Sequence, residues 1–316
     1  MGFEALLGNE QLKENLSAAR RRGRMSHFYL LSGPQGSGRH TLARLLAAAM
    51  LCREPDGPCG VCQHCRKVFA GSHPDYITID DPEKKIIPVR IVRDARADMY
   101  IKPNEGDKKI YLFPRAQDLN IEGQNSLLKI LEEPPAYGVF LLLTDNPEKL
   151  LPTVRSRCVE LKLKALPRDL MRRTLSAEFP GAAVETIDAT ILRSGGYLGQ
   201  ARELLSGDAV SEQTLLFANA NRARDPYGLL QVLLPMEKWK RDTLISILAQ
   251  WLELVEQALL ARSGIPVPVP EASAIASARN PRELMEAATA LKKAMEYAQG
   301  NVSCAAVCSW LSWTLR

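Results

Sequence analysis

The chain has 316 residues, 46% hydrophobic and 24% charged, the composition of an ordinary globular protein long enough for two or three domains. A net charge of +5 permits a nucleic-acid or phosphate-rich partner without arguing for one. No apolar run reaches the ~20 uninterrupted residues of a membrane-crossing helix. The start, Met1 to Leu6, carries neither a signal-peptide nor a myristoylation pattern, so no membrane partner and a cytoplasmic location are expected.

In chain order, the basic cluster Arg20, Arg21, Arg22 and Arg24 reads as a solvated helix C-terminus favoured by the macrodipole, with a DNA-backbone contact as the alternative. Phe28 to Leu31 is an apolar run fit for a strand. It leads into Gly33-Pro34-Gln35-Gly36-Ser37-Gly38-Arg39-His40-Thr41, and Leu42 to Met50 continues as a helix. Strand, glycine loop and helix form the context of a phosphate-cradling loop, in which backbone N–H groups meet phosphates, a Lys reaches the β/γ-phosphates and a hydroxyl ligates Mg²⁺. Gly33, Gly36 and Gly38 supply the framework. The Lys position holds Arg39, however, and the hydroxyl position holds His40, which is not a hard oxygen ligand, before Thr41. The scaffold is kept, and ATP hydrolysis is not expected.

Four of the seven cysteines follow in one short segment, Cys52, Cys59, Cys62 and Cys65. In a cytosolic chain this clustering favours a metal over disulfides or free thiols, and four thiolates suit tetrahedral Zn²⁺. Such a zinc would be structural, with no coordination position open to substrate, and would fold a loop that has little core of its own. His64 lies among these ligands without being needed. Cys304 and Cys308, spaced i,i+4 on an apolar helix, read as core.

An ATPase of this architecture needs acids at the end of a buried strand. The candidate strand is Lys109 to Phe113, and Pro114-Arg115 follows it, neither of which replaces an acid. Asn125 to Glu133 reads as a short amphipathic helix stopped by Pro134-Pro135, with Glu132 and Glu133 as solvated or structural acids. Val139 to Leu143 is a strand apolar enough to be covered on both faces, ending in Thr144-Asp145-Asn146. Val159 to Leu163 is a further strand-like run. Strands alternating with helices argue for a parallel α/β sheet.

Beyond residue 166 the chain reads as helical. Pro167 to Leu170 opens a helix, and Gly195-Gly196 breaks one. Leu244, Ile245, Leu248, Trp251, Leu252 and Val255 recur at helical spacing, and that helix ends at Gly264. Ile265 to Pro270 reads as an extended connector. Asn280-Pro281-Arg282-Glu283 forms a capping box that starts a helix ended by Gly300, and a last apolar helix runs from Val302 to Leu315. Trp310 and Trp313 read as core or subunit contact rather than as a base-stacking platform.

Several of these motifs together resemble a known family. Gly33 to Thr41, the four cysteines, Ser72-His73-Pro74-Asp75-Tyr76, Asn125 to Lys129 with Leu131 to Pro135, and Ser156-Arg157-Cys158 look like the ordered motifs of the bacterial clamp-loader subunits. These are AAA+ proteins of the replicative DNA polymerase III holoenzyme, and the likeness covers about residues 1–210. The resemblance implies an AAA+ P-loop-like domain over residues 1–165 with the zinc module at 52–65, a small helical lid over 166–208 and a C-terminal helical collar over 209–316. The family's ATPases keep Lys-Thr and Asp-Glu where this chain has Arg39-His40 and Pro114-Arg115, so it is similar to the non-hydrolysing delta-prime branch.

That resemblance further implies that Arg157 acts as an arginine finger in trans, on ATP held by a neighbouring subunit, a device that contributes ~10³–10⁵ in rate in other nucleotide hydrolases. Gly199 falls where the ATPases carry a second sensing arginine, with Arg202 close by. The partners implied are gamma/tau-type ATPase subunits and a delta-type subunit in a hetero-pentamer, and indirectly the sliding clamp and primer-template DNA. Two other readings stand beside it: a gamma/tau-like ATPase with divergent motifs, in which Arg39 replaces Lys, and a stand-alone zinc-bearing DNA-binding protein.

Overall fold

Five apolar runs become the strands β1 (Phe28–Ser32), β2 (Tyr76–Thr78), β3 (Lys109–Phe113), β4 (Gly138–Thr144) and β5 (Val159–Lys162). They form one parallel sheet in the order β2-β3-β4-β1-β5, in register as Leu30 opposite Leu142 and Tyr111 opposite Phe140. The computed structural model describes residues 2–206, 211–267, 269–300 and 302–315. Its packing divides into two units, Met1–Met171 with Gly195–Gln200, and Arg172–Ser194 with Ala201–Arg316.

In the first unit, β1, β3 and β4 are buried along their whole length, because helices cover both faces of a parallel sheet. Alternate residues serve alternate faces. Tyr29, Leu31, Ile110, Leu112, Leu141 and Leu143 share one core with Leu42, Leu45 and Leu46. Phe28, Leu30, Tyr111, Phe113, Phe140 and Leu142 share the other with Val92, Leu127 and Ile130. The helices are α1 (Glu10–Arg21), α2 (Arg39–Leu51), α3 (Gln63–Phe69), α4 (Val89–Asp98), α5 (Ile121–Glu132) and the single turn α6 (Pro152–Arg155). The α/β parallel sheet expected from the sequence is present.

Two local differences have clear causes. Helix α5 begins at Ile121 rather than near residue 125, because the Asn120 side chain accepts the Gly123 N–H at 2.8 Å and caps an earlier turn whose polar residues hide the apolar period. Arg20 is not simply solvated at the end of α1. It donates to the carbonyls of Cys52 and, at 3.2 Å, Glu54, tying that helix to the cysteine segment.

Helices α7 (Arg168–Glu178), α8 (Val184–Arg193) and α9 (Leu198–Ser206) follow. Gly195 and Gly196 lie between α8 and α9, as expected, and the stretch expected to be a lid is shared between the two units. The expected boundary at 208/209 lies outside the described residues.

The second unit continues with α10 (Glu212–Ala223), α11 (Pro226–Met236), α12 (Arg241–Arg262), α13 (Pro270–Ala278), α14 (Pro281–Gln299) and α15 (Cys304–Thr314). Helix α12 packs against α13 and α14, and its Trp251, fully buried, stacks on Phe217 with ring centroids 4.1 Å apart. By length and composition α12 is apolar enough to cross a membrane, although Glu253 and Glu256 interrupt its apolar run. Leu244, Leu248, Trp251, Val255 and Ala258 of α12 belong to the core of the second unit. Pro270 does not end a connector but opens α13, where proline's fixed φ suits a first turn. The capping box forms as read, with Asn280 Oδ1 accepting from Glu283 N and Glu283 Oε2 accepting from Asn280 N, each at 2.9 Å. The last helix starts at Cys304, capped by the Ser303 hydroxyl, two residues later than its apolar pattern suggests.

Candidate functional site

The carboxyl ends of parallel strands share one edge of the sheet, where such folds place ligands. Here β1 runs into the glycine loop while its neighbour β4 ends at Thr144, and Gly33 N donates to Thr144 O at 3.2 Å. Gly38, at φ +96°, is the residue before α2, so the first-turn amides of α2 follow the loop as in a phosphate cradle.

The loop is also in main-chain contact with the start of α9. Gly199 N donates to Gly36 O at 2.9 Å. A Cβ on Gly36 would lie 2.4 Å from Gln200 N, and one on Gly199 would lie 2.5 Å from Gly36 Cα. No side chain fits at either place without parting the two backbones. Gly199 thus brings peptide backbone, and no guanidinium, to the loop.

Arg39 is half-buried. Burial lowers its pKa against the opposing charge of Asp145 at the end of β4, and its Nη1 and the Ser37 hydroxyl lack hydrogen-bond partners among the described residues. Burial, then the charges of Arg39 and Arg44, lowers the pKa of His40, which favours a neutral imidazole at pH 7. Thr41 is exposed on the first turn of α2.

At the end of β3, Arg115 turns away into a network of its own. Its Nη2 meets Asp80 Oδ1 at 2.5 Å and donates to the carbonyls of Asp81 and Lys84, while Nη1 reaches Asp118 at 3.3 Å. The hydrogen bond with Asp80 raises the guanidinium pKa and so holds its charge. Arg115, just beyond the end of β3, is therefore a cation committed to folding the 80–84 loop.

Arg157 stands in the turn after α6. Cys158 beside it packs against the core, and burial pushes its thiol up to about 12. The Ser156 hydroxyl and Arg157 Nη1 both donate to Thr153 O, at 3.3 and 2.9 Å. Arg157 Nη2 pairs with Glu132 Oε1 at 2.9 Å, the arginine side chain being 37% exposed. Gln124 of α5, which sequence reasoning did not single out, sets the path into this turn. Its amide donates to Leu119 O and Lys149 O and accepts from Leu151 N at 2.7 Å. A buried Gln inside an apolar helix face was the one available signal.

The four cysteines converge, with every pair of sulfurs within 4.8 Å. Cys59 and Cys65, and Cys62 and Cys52, have Sγ atoms 3.9 Å apart, far beyond a disulfide bond. A tetrahedron with Zn–S bonds of ~2.3 Å has edges of about 3.8 Å, so the donor set fits that ion. Backbone N–H groups of Cys62 and Val61 lower the Cys59 thiol to about 6, whereas burial raises those of Cys52 and Cys65.

A second group, His64, His73 and Glu105, also lies within 4.8 Å. It is engaged internally. Asp75 N donates to His73 Nδ1 at 3.1 Å, leaving the proton on Nε2, which donates to His64 Nδ1 at 2.9 Å. Lys67 Nζ sits on the Glu105 carboxylate at 2.5 Å.

Comparison with known proteins bears on this geometry. The family described as "DNA polymerase III, delta subunit" matches residues 8–167, half of the chain, across the sheet, the glycine loop, the cysteines and Arg157. The chain belongs to this family. A curated relative, DNA polymerase III subunit delta' of Pseudomonas aeruginosa, is 36% identical over 196 residues, covering 61% of this chain and 59% of the relative. DNA polymerase III subunit tau of Escherichia coli is 38% identical over 175 residues, covering 55% of this chain and 27% of the relative. The chain thus spans between about a quarter and three-fifths of the length of these two relatives. Among solved structures, a DNA polymerase III gamma subunit-related protein of Thermotoga maritima aligns over 95% of this chain and 98% of that one, with 18% identity and a TM-score of 0.47.

Proposed function

We propose that this chain is a non-hydrolysing, delta-prime-like subunit of the bacterial sliding-clamp loader of DNA polymerase III, which lends Arg157 to ATP bound by a neighbouring subunit. One contrast supports the reading: Arg115 occupies the acid position and is spent on Asp80 and Asp118, while Arg157 is held at the surface with donors to spare. The chain's own loop has Arg39 and His40 where phosphate and magnesium chemistry is done, and the Gly36–Gly199 contact crowds it further.

A guanidinium is planar, permanently charged and carries five N–H donors, so it can meet charge developing on a γ-phosphoryl group without moving a proton. The partners on this reading are gamma/tau-type ATPase subunits and a delta-type subunit in a hetero-pentamer, acting on the clamp and primer-template DNA in the cytoplasm. Residues 1–165 would be the AAA+ domain, 166–208 a lid and 209–316 a collar joining the ring. The four cysteines would hold a structural zinc.

The test is ATP turnover. The purified chain is expected to show none, and Arg157→Ala is expected to lower turnover ~10³-fold at the one ATPase site facing it in a reassembled loader, with folding unchanged. An unaltered rate at that site, or substantial hydrolysis by the chain alone, rejects the proposal.

A further inference from the structure

The LEEPP stretch, Leu131 to Pro135, ends α5, and its first acid contacts the candidate finger directly. We infer that Glu132 is the positioning residue for Arg157, an inference that rests on the finger reading above. Two hydrogen bonds from different nitrogens of one planar group fix both its place and its plane: Nη1 on Thr153 O and Nη2 on Glu132 Oε1, each at 2.9 Å. Of the five donors of a guanidinium this leaves three without a partner among the described residues.

Stability does not account for the pair. Glu132 is 56% exposed, and exposed ion pairs add little. The carboxylate also sits on the last turn of α5, at the negative end of the helix dipole, where an acid is disfavoured. What the pair does supply is order. A free arginine side chain samples many rotamers, and a catalytic donor misplaced by an ångström forfeits much of its effect. Glu132 is in turn placed by α5, whose buried Gln124 is bonded to Lys149 O and Leu151 N at the entry to the turn that leads to Arg157. Glu132 and Arg157 thus answer to the same helix.

The experiment uses a loader reassembled from full-length chains, with primed DNA and clamp, in which only the ATPase site facing this subunit is competent. Four forms of the subunit are compared: Glu132→Ala, Glu132→Gln, Arg157→Ala and the double variant Glu132→Ala with Arg157→Ala. Glu132→Ala is expected to lower kcat about ten-fold with KM for ATP unchanged. Glu132→Gln, which keeps an oxygen acceptor at the same place, is expected to restore most of the rate. The double variant should be no slower than Arg157→Ala alone.

A wild-type or faster rate in Glu132→Ala, beside a large loss in Arg157→Ala, overturns the positioning role and leaves the finger standing. A double variant slower than Arg157→Ala overturns it also, because Glu132 would then act by another route. If Arg157→Ala itself turns over at the wild-type rate, the finger reading fails, and the positioning role falls with it.

Discussion

Asp75 shows how much one carboxylate can organise. It is fully buried, and its Oδ1 accepts from the Asn104 amide and side chain while Oδ2 accepts from Glu105 N and Gly106 N, the four bonds spanning 2.6–3.0 Å. Burial pushes its pKa up, but the N–H donors outweigh that and hold it below the usual carboxylate value. A group with a depressed folded-state pKa contributes stability that is whole above the unfolded pKa of ~3.9 and is lost as pH falls through the folded value. Asp75→Asn is therefore expected to cost about 2–3 kcal/mol at pH 7, read by urea unfolding, since it removes charge-assisted bonds and turns an amide N–H toward donors. The deficit should shrink below pH ~4. A constant deficit across that range would place the effect in packing instead. Next to Asp75, His73 hands the same order to α3 through His64, so the Ser72 to Tyr76 motif fastens the cysteine segment to the sheet edge.

At the scale of elements, the two units rest on different kinds of support. Helix α12 is fixed by apolar packing around Trp251, whose indole is fully buried and whose Nε1 lacks a partner among the described residues. Trp251→Ala is expected to cost about 3–5 kcal/mol, and Trp251→Phe much less, because phenylalanine keeps the stack on Phe217 and removes the unpaired N–H. Chemical denaturation followed by helix signal measures both, and equal losses would put the energy in the part of the indole that phenylalanine lacks rather than in the stack on Phe217. On the zinc reading, the segment around α3, which has only a small apolar share, takes much of its order from the sulfur cluster. In Cys62→Ser, bound zinc is expected to fall below one ion per chain and proteolysis to open within residues 52–65, while the sheet spectrum persists. Metal-free wild-type protein with the same resistance would remove the metal from the account.

For the whole molecule, the sheet was legible because β1, β3 and β4 are continuous apolar runs, the pattern that two-sided burial imposes. The cysteine cluster was legible from spacing alone. Helix starts were less so: Asn120 and Ser303 cap by side-chain hydrogen bonds that apolar periodicity does not register, and Pro270 reads equally as an end or a beginning. Of the candidate site, Arg157 entered through resemblance, and its exposure and fixed orientation came only with coordinates. Glu132 was visible as an acid at a helix end, but its pairing with Arg157, like the bonds of Gln124 to Lys149 and Leu151, was not, because a partner in a distant segment leaves no local pattern. The division into two units, which cuts through the expected lid, is likewise a property of packing that composition does not carry.

The touching peptides of Gly36 and Gly199 make two distant stretches of sequence into one unit of inheritance. Placing a larger residue at 199 would wedge the phosphate loop open even though nothing in that loop had changed. A change at the start of α9 is thus a change in the phosphate loop, although about 160 residues of chain separate the two.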